Sequence, residues 1–205
     1  MIVVDIETSG TVPGRHSILS IGAVDFTDPG NMFYGECRLA DGADADPEAM
    51  AVNGFTEDDI ADGSKITEEE LVQRFADWTG SIRDITIAGH NVHFDLNFLK
   101  NAAREYRIDL NLGNRIIDMH TLAYASMVSH GIEVPLQSNR TAITSDAVYG
   151  YVGMEKEPQP HNALTGAKME AEAISRLIFG RGLLSEFKSR AIPARLMGVG
   201  APAKQ

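Results

Sequence analysis

The sequence predicts an α/β fold in which a five-stranded mixed sheet is flanked by helices. An apolar run opens the chain, and two further apolar segments follow it around the turn Asp28-Pro29-Gly30, which is typical of an antiparallel meander. Beyond this meander, short apolar runs alternate with stretches of helical periodicity, as they do in βαβ units. Together the two patterns predict strands of both orientations in one sheet.

The elements follow in order from the same periodicities. Strands are predicted at residues 2–6, 17–26, 31–39, 85–88 and 115–117. Helices are predicted at residues 47–52, 56–60, 67–78, 95–106, 119–129, 146–152 and 162–179, and Asp118 is expected to be an N-cap. Residues 133–145 and the proline-bearing segment 155–160 match neither pattern, and we expect irregular structure there.

Composition favours one domain in a reducing compartment. A chain of 205 residues with 43% hydrophobic residues can bury one sizeable core, so we expect a single domain at 1–190 and a flexible tail at 191–205. One cysteine, Cys37, excludes an internal disulfide, and no membrane span or targeting segment is evident, so a cytoplasmic protein is expected. The net charge of −11 argues against broad electrostatic binding to nucleic acid.

Two carboxylates stand two residues apart on the first predicted strand. Asp5 and Glu7 project from the same face of that strand, where like charges repel. A divalent cation such as Mg²⁺ or Mn²⁺ between them would remove the repulsion. The alternative is a strand that emerges into solvent, where paired acids are simply hydrated.

Two further groups carry polar side chains at element boundaries. The segment Gly89-His90-Asn91-Val92-His93-Phe94-Asp95 follows a short strand and opens a helix, whose dipole alone would explain the aspartate. The segment Pro160-His161-Asn162-Ala163-Leu164 begins the last long helix with a histidine in an exposed position. Each group taken singly is also compatible with an ordinary surface role.

Taken in order, the three groups resemble the motifs of the histidine-type DEDD 3′→5′ exonucleases, the family of polymerase proofreading subunits, RNase T and oligoribonuclease. Asp5-Ile6-Glu7-Thr8-Ser9-Gly10 looks like the first motif, residues 90–95 like the second, and His161-Asn162-Ala163-Leu164 like the third. The resemblance spans about residues 1–180 and implies an RNase H-like fold. It also implies hydrolysis of phosphodiester bonds with release of nucleoside 5′-monophosphates.

The resemblance assigns roles to individual residues. Asp5, Glu7 and Asp95 would hold two Mg²⁺ or Mn²⁺ ions, and His161 would act as general base on the attacking water. An imidazole titrates near neutrality and suits that role. The terminal nucleotide would be bound by Thr8, Gly10, Phe55 and Asn91, with Phe55 in the loop-like segment Val52-Asn53-Gly54-Phe55-Thr56.

Gly166 departs from the family pattern, which has a fourth acid at this position. We consider three explanations: a laboratory substitution that disables the enzyme, a natural loss that leaves a binding module, or relocation of the acid to Glu170. Glu170 lies one helical turn later on the same face, and helical side chains lean toward the N-terminus. In the simplest alternative, Glu170 and Glu172 are solvated acids on an exposed helix face. With three acids, one of the two metal sites would be weakened.

The sequence thus predicts a metal-dependent 3′→5′ exonuclease acting on single-stranded DNA, RNA or short oligonucleotides. The rival hypothesis is a catalytically inactive nucleic-acid or protein-binding module with the same fold. A homodimer and, by family analogy, a polymerase partner are both left open.

Overall fold

A five-stranded mixed sheet forms the centre of the molecule. The computed structural model describes residues 1–197, and in it the strand order is β3-β2-β1-β4-β5. β1 pairs antiparallel with β2 and parallel with β4, so the predicted mixed sheet is confirmed. The strands are β1 (Ile2–Thr8), β2 (Ile18–Asp25), β3 (Met32–Glu36), β4 (Ile87–Gly89) and β5 (Ile116–Asp118).

Helices cover both faces of this sheet, as predicted. Alternation along β1 sends Ile2, Val4 and Ile6 into one apolar core, while Val3 enters the other. The first core is covered by α3 and α4, and the second by α5, α6 and α7. The helices are α1 (Pro47–Asn53), α2 (Glu57–Ala61), α3 (Glu68–Thr79), α4 (His93–Tyr106), α5 (Met119–Ser129), α6 (Ser145–Tyr151) and α7 (Ala163–Phe179).

Asp5 and Glu7 share their strand face with Val3 and therefore point toward the side that α7 covers. At the carboxyl end of the edge strand β5, Asp118 caps α5 by accepting a hydrogen bond from the backbone N–H of His120 at 2.8 Å, as expected. Its second carboxylate oxygen accepts from the N–H of Val92 at 3.2 Å. The cap therefore also holds the segment that leads into α4.

Two segments differ from the sequence prediction. The stretch expected to be irregular contains a small hairpin, β6 (Leu136–Gln137) and β7 (Arg140–Thr141), joined through Ser138 and Asn139 at positive φ. The tail expected to be loose is ordered at its start, because residues 194–196 form a 3₁₀ turn that buries Leu196 completely. The rest of the predicted tail, 198–205, lies outside the described residues. Within residues 1–197 no helix is long and apolar enough to cross a membrane.

Candidate active site

The site begins where β1 and α7 approach each other. Asp5 pairs in register with Gly22 of β2, and a Cβ at Gly22 would overlap the backbone of Ala163 and Leu164 at the start of α7. Glycine at this position therefore lets the helix backbone lie directly on the sheet. As a result, the first turn of α7 lies beside the β1 carboxylates.

Asp95 is brought to the same place by a backbone contact. Its Oδ1 accepts a hydrogen bond from the N–H of Ile6 at 3.0 Å, and Ile6 lies between Asp5 and Glu7. The first turn of α4 is thereby held against the end of β1. Glu7 is 8% exposed, so the alternative of a merely hydrated acid is wrong for this residue, and Asp95 is 5% exposed.

Glu170 also faces this cluster. It is 5% exposed, so the alternative of a solvated acid is wrong. The reason is that residues 169–177 of α7 are all buried, so this part of the helix has no face toward solvent. Its Oε2 lies 3.0 Å from the position of a Cβ on Gly89. The backbone N–H of His90 lowers the pKa of Glu170, but burial and the charge of Asp95 raise it more. Glu170 therefore lies on the β4 side of the cluster.

Gly166 leaves room for Asp5. A Cβ at position 166 would overlap the Asp5 carboxylate, and it would lie 3.3 Å from Oε1 of Glu157. The space next to the helix is thus occupied by a carboxylate from the strand. Glycine in a helix costs about 1 kcal/mol relative to alanine, and this close approach is a structural reason for its presence.

Sequence reasoning missed two residues of the site. Glu157, from the loop before the motif histidine, contributes a buried Oε1, and Tyr149 of α6 is 1% exposed with its hydroxyl directed to the same region. Burial and the nearby carboxylates of Glu170 and Glu157 raise the pKa of Tyr149 well above its usual value. Glu157 had no detectable signal in the sequence, because its segment has neither helical nor strand periodicity.

The carboxyl groups of the cluster resist ionisation in the metal-free protein. Burial, followed by the charge of neighbouring carboxylates, raises the pKa of Asp5 well above its usual value. Burial likewise raises the pKa of Glu7 to about 8 and that of Asp95 to about 8, although backbone hydrogen bonds oppose the shift at Asp95. In residues 1–197, none of these acids forms an ion pair with a basic side chain.

His161 lines a neighbouring cavity. Its backbone N–H donates to the carbonyl of Val52 at 3.1 Å, which ties the start of the third motif to α1. The cavity measures about 270 Å³ and reaches the sheet at Ser20, the register partner of Glu7. It is also lined by Phe55, Lys65 and Asn162, and the Lys65 ammonium lies 5.1 Å from the centre of the Phe55 ring.

The predicted substrate-binding residues are distributed over different places. Phe55 lines the His161 cavity, whereas Asn91 lines a separate cavity of about 700 Å³ together with His90, Asp118 and His120. Thr8 is 6% exposed, and its hydroxyl donates to the Gly10 carbonyl at 2.7 Å.

Gly10 and Asn53 make contacts next to the carboxyl end of β1. A Cβ on Gly10 would overlap the His16 ring, so that residue is packed against a side chain. Asn53 belongs to the predicted segment that carries Phe55. Its Nδ2 donates to the Thr8 carbonyl at 3.0 Å and its Oδ1 accepts from the Phe55 N–H at 3.1 Å. It thus fixes the Phe55 loop to the end of the strand.

The donor set suits a hard divalent cation. Carboxylate oxygens are the ligands that Mg²⁺ and Mn²⁺ prefer, and buried Oε1 of Glu157 and Oε2 of Glu170 have no hydrogen-bond partner within residues 1–197. In that same part of the chain no three acidic, histidine or cysteine side chains converge at liganding distance. The side chains fit such a metal in type and in their location around one space, although their placement here does not form a complete ligand set.

The raised pKa values predict that stability depends on pH in the metal-free protein. Glu7 and Asp95 keep their protons up to about pH 8 when folded, but lose them near pH 4 to 5 when unfolded. Between these limits the folded state binds more protons, so the free energy of unfolding should fall as pH rises, by about 1 to 3 kcal/mol per pH unit. Urea denaturation in EDTA between pH 5.5 and 8 measures this slope. Glu7→Gln should reduce it, and a flat or rising profile would contradict the assignment.

Comparison with known proteins defines the class. The chain matches the model of the exonuclease family RNase_T over residues 2–174. It therefore belongs to that family, and the resemblance to DnaQ-like DEDD 3′→5′ exonucleases is confirmed. Exonucleases of this family depend on divalent metal ions.

Individual relatives agree with this class. The chain is 30% identical over 183 residues to the 3′-5′ DNA exonuclease Cap18 of Escherichia coli, a match that covers 86% of this chain and 90% of Cap18. It is 26% identical over 182 residues to the DNA polymerase III subunit epsilon of Pasteurella multocida, covering 85% of this chain and 64% of that subunit.

Solved structures support the fold. Escherichia coli Exonuclease I in complex with a dA16 oligonucleotide superposes with a TM-score of 0.68 at 19% identity, and Exonuclease I from Methylocaldum szegediense gives 0.68 at 22%. The matches cover 85% and 88% of this chain, but the chain spans only 40% of either enzyme. At these identities the likeness shows the fold alone, and it confirms the RNase H-like architecture.

Proposed function

We propose that this protein is a metal-dependent 3′→5′ exonuclease that releases nucleoside 5′-monophosphates from single-stranded nucleic acid. The observation that carries the proposal is the carboxylate cluster of Asp5, Glu7, Asp95 and Glu170, of which the last three are buried, next to a cavity lined by His161. These acids can ionise together only when cations offset their charge, because no basic side chain within residues 1–197 pairs with them, and the family uses divalent metal ions. The inactive-module alternative receives no support from the comparisons.

The proposed chemistry divides between the metal ligands and the histidine. Asp5, Glu7, Asp95 and Glu170 would hold two Mg²⁺ or Mn²⁺ ions. Bound metal ions would supply charge stabilisation for the attacking and leaving oxygens of the displacement. His161 would take a proton from the water that attacks the terminal phosphorus. The bond from phosphorus to the 3′ oxygen of the preceding nucleotide breaks, and the terminal nucleotide leaves with a 5′-phosphate.

The His161 cavity is the proposed place of the terminal nucleotide. Phe55 offers an aromatic face, and base stacking on such faces stabilises single-stranded nucleic acid by about 1 to 3 kcal/mol per base. Asn53 anchors the Phe55 loop to the end of β1, the strand that carries Asp5 and Glu7. Thr8, Gly10 and Asn91 are proposed as lesser contacts, with Asn91 contacting the strand further from its end.

Single-stranded DNA is the first substrate to test, because the relative Cap18 is described as a DNA exonuclease. The protein is incubated with 5′-labelled DNA or RNA in Mg²⁺, Mn²⁺ or EDTA. We expect a descending ladder and free nucleoside 5′-monophosphates with metal only. Circular single-stranded DNA should resist, and Glu7→Gln controls for a contaminating nuclease. Folded protein that produces no ladder with either metal would refute the proposal.

A further inference from the structure

We propose that Glu157 is a metal ligand that takes over the role of the acid missing at position 166. This inference rests on the proposed function and adds a residue to its metal site. In the family pattern the fourth acid comes from the last helix, whereas here it would come from the loop that precedes the helix. Glu157 and His161 would then lie on the same short segment, four residues apart.

The Glu157 carboxylate lies close to the space over Gly166. Glu157 Oε1 lies 3.3 Å from the position that a Cβ would have on Gly166. The carboxylate therefore lies within reach of the space that an aspartate side chain at 166 would occupy. The Asp5 carboxylate borders the same space. The two carboxylates therefore both lie next to Gly166, which has no side chain to separate them.

Several buried polar atoms around this space have no hydrogen-bond partner within residues 1–197. Glu157 Oε1 is buried and makes no hydrogen bond to residues 1–197, and the same is true of Oε2 of Glu170 and the hydroxyl of Tyr149. Glu170 and Tyr149 are 5% and 1% exposed. An unsatisfied buried acceptor costs about 1 to 3 kcal/mol, and more when it is charged. A cation that binds between these acids would satisfy both carboxylates.

The loop that carries Glu157 is held in place by contacts with α6. The backbone N–H of Glu157 donates to Oδ1 of Asp146 at 3.3 Å, and Lys156 forms an ion pair with the other oxygen of Asp146 at 3.5 Å. Asp146 lies in the first turn of α6, and the same helix contributes Tyr149. These contacts direct Glu157 inward, although its neighbours Glu155 and Lys156 are exposed.

Glu170 does not fill this place. Its Oε2 lies next to Gly89 of β4, and the charge of Asp95 is the largest carboxylate influence on it. Glu157 lies instead next to Gly166 on the α7 side of Asp5. The two glutamates therefore flank the cluster from different sides, so Glu157 and Glu170 would act together as ligands and neither replaces the other.

The test is Mn²⁺ binding by isothermal titration calorimetry, without nucleic acid, on the full chain and on Glu157→Gln. The matched control is Glu155→Gln in the same loop, because Glu155 is 70% exposed and pairs with Arg190. We expect Glu157→Gln to weaken at least one Mn²⁺ site by tenfold or more, and Glu155→Gln to bind as the unaltered protein does. Circular dichroism of each variant verifies that it is folded.

The outcomes separate this inference from the proposed function. If the unaltered protein binds Mn²⁺ and degrades single-stranded DNA, but Glu157→Gln binds Mn²⁺ within twofold of it, the role of Glu157 is refuted and the exonuclease stands. If the unaltered protein binds no Mn²⁺ and degrades nothing, both fail. A Glu157→Gln variant that binds normally to one site and tenfold more weakly to the other supports the inference most directly.

Discussion

Replacing His161 with alanine is expected to lower kcat by about 10²- to 10⁴-fold, the usual contribution of a positioned general base. The ring lines the cavity proposed for the terminal nucleotide, next to the strand pair that carries Glu7. Within residues 1–197 the ring makes no hydrogen bond, while the backbone N–H of His161 is bonded to Val52. The substitution should therefore leave the fold intact.

A split between kcat and KM identifies the role. A group that acts on the attacking water changes the transition state more than substrate binding, so KM should change by less than about threefold. His130 provides the matched control, because it is exposed and its ring bonds the Ser126 carbonyl at the end of α5. Steady-state kinetics on a labelled oligonucleotide measure both constants. If His161→Ala keeps kcat within threefold of the unaltered protein, the general base is another group.

The acids of the first two motifs could be found from sequence because local pattern determines where they lie. Asp5 and Glu7 occupy alternate positions of an apolar strand, and Asp95 lies in the first turn of a helix that follows the neighbouring strand. Parallel neighbours in a sheet bring such ends together. The packing of these elements therefore follows from their order, and the structure places the three acids in one cluster.

The hairpin and Glu157 could not be found in this way. β6 and β7 have two residues each, all exposed, so they leave no alternation of apolar and polar residues. Glu157 is directed inward by a hydrogen bond to Asp146, eleven residues earlier, and by the open space over Gly166. Both features depend on tertiary contacts, which periodicity does not report.

The alternative of solvated acids on α7 failed for a different reason. The rule that acids on a helix face solvent requires that the helix has a solvent face. α7 lies between the sheet, α5, α6 and the C-terminal segment, and every residue from 169 to 177 is buried. Glu170 and Glu172 are therefore both inside. Glu170 faces the site, whereas Glu172 forms an ion pair with Arg176 at 2.7 Å.

This buried pair predicts a large loss of stability when it is broken. Arg176 and Glu172 are 1% and 0% exposed. Glu172 accepts from the backbone N–H groups of Leu183 and Leu184 at 2.7 and 2.9 Å. Arg176 donates to the carbonyls of Val152, Phe187 and Arg190, between 3.1 and 3.2 Å. The pair thus joins α7 to the segment after α6 and to the turns that follow α7.

Arg176→Ala is expected to destabilise the protein by about 3 to 5 kcal/mol, because it leaves the Glu172 charge buried without its cation. It also leaves four backbone carbonyls without their donor, since Arg176 bonds the Gly153 carbonyl as well, at 3.4 Å. That is a large part of the 5 to 15 kcal/mol typical of whole domains. Arg74→Ala is the control: Arg74 also follows its glutamate by four residues, but the pair with Glu70 is about half exposed. Its loss should cost about 0.5 kcal/mol or less. Urea denaturation of both variants measures the free energy of unfolding. If both variants lose a similar small amount of this free energy, the buried pair is not required for folding.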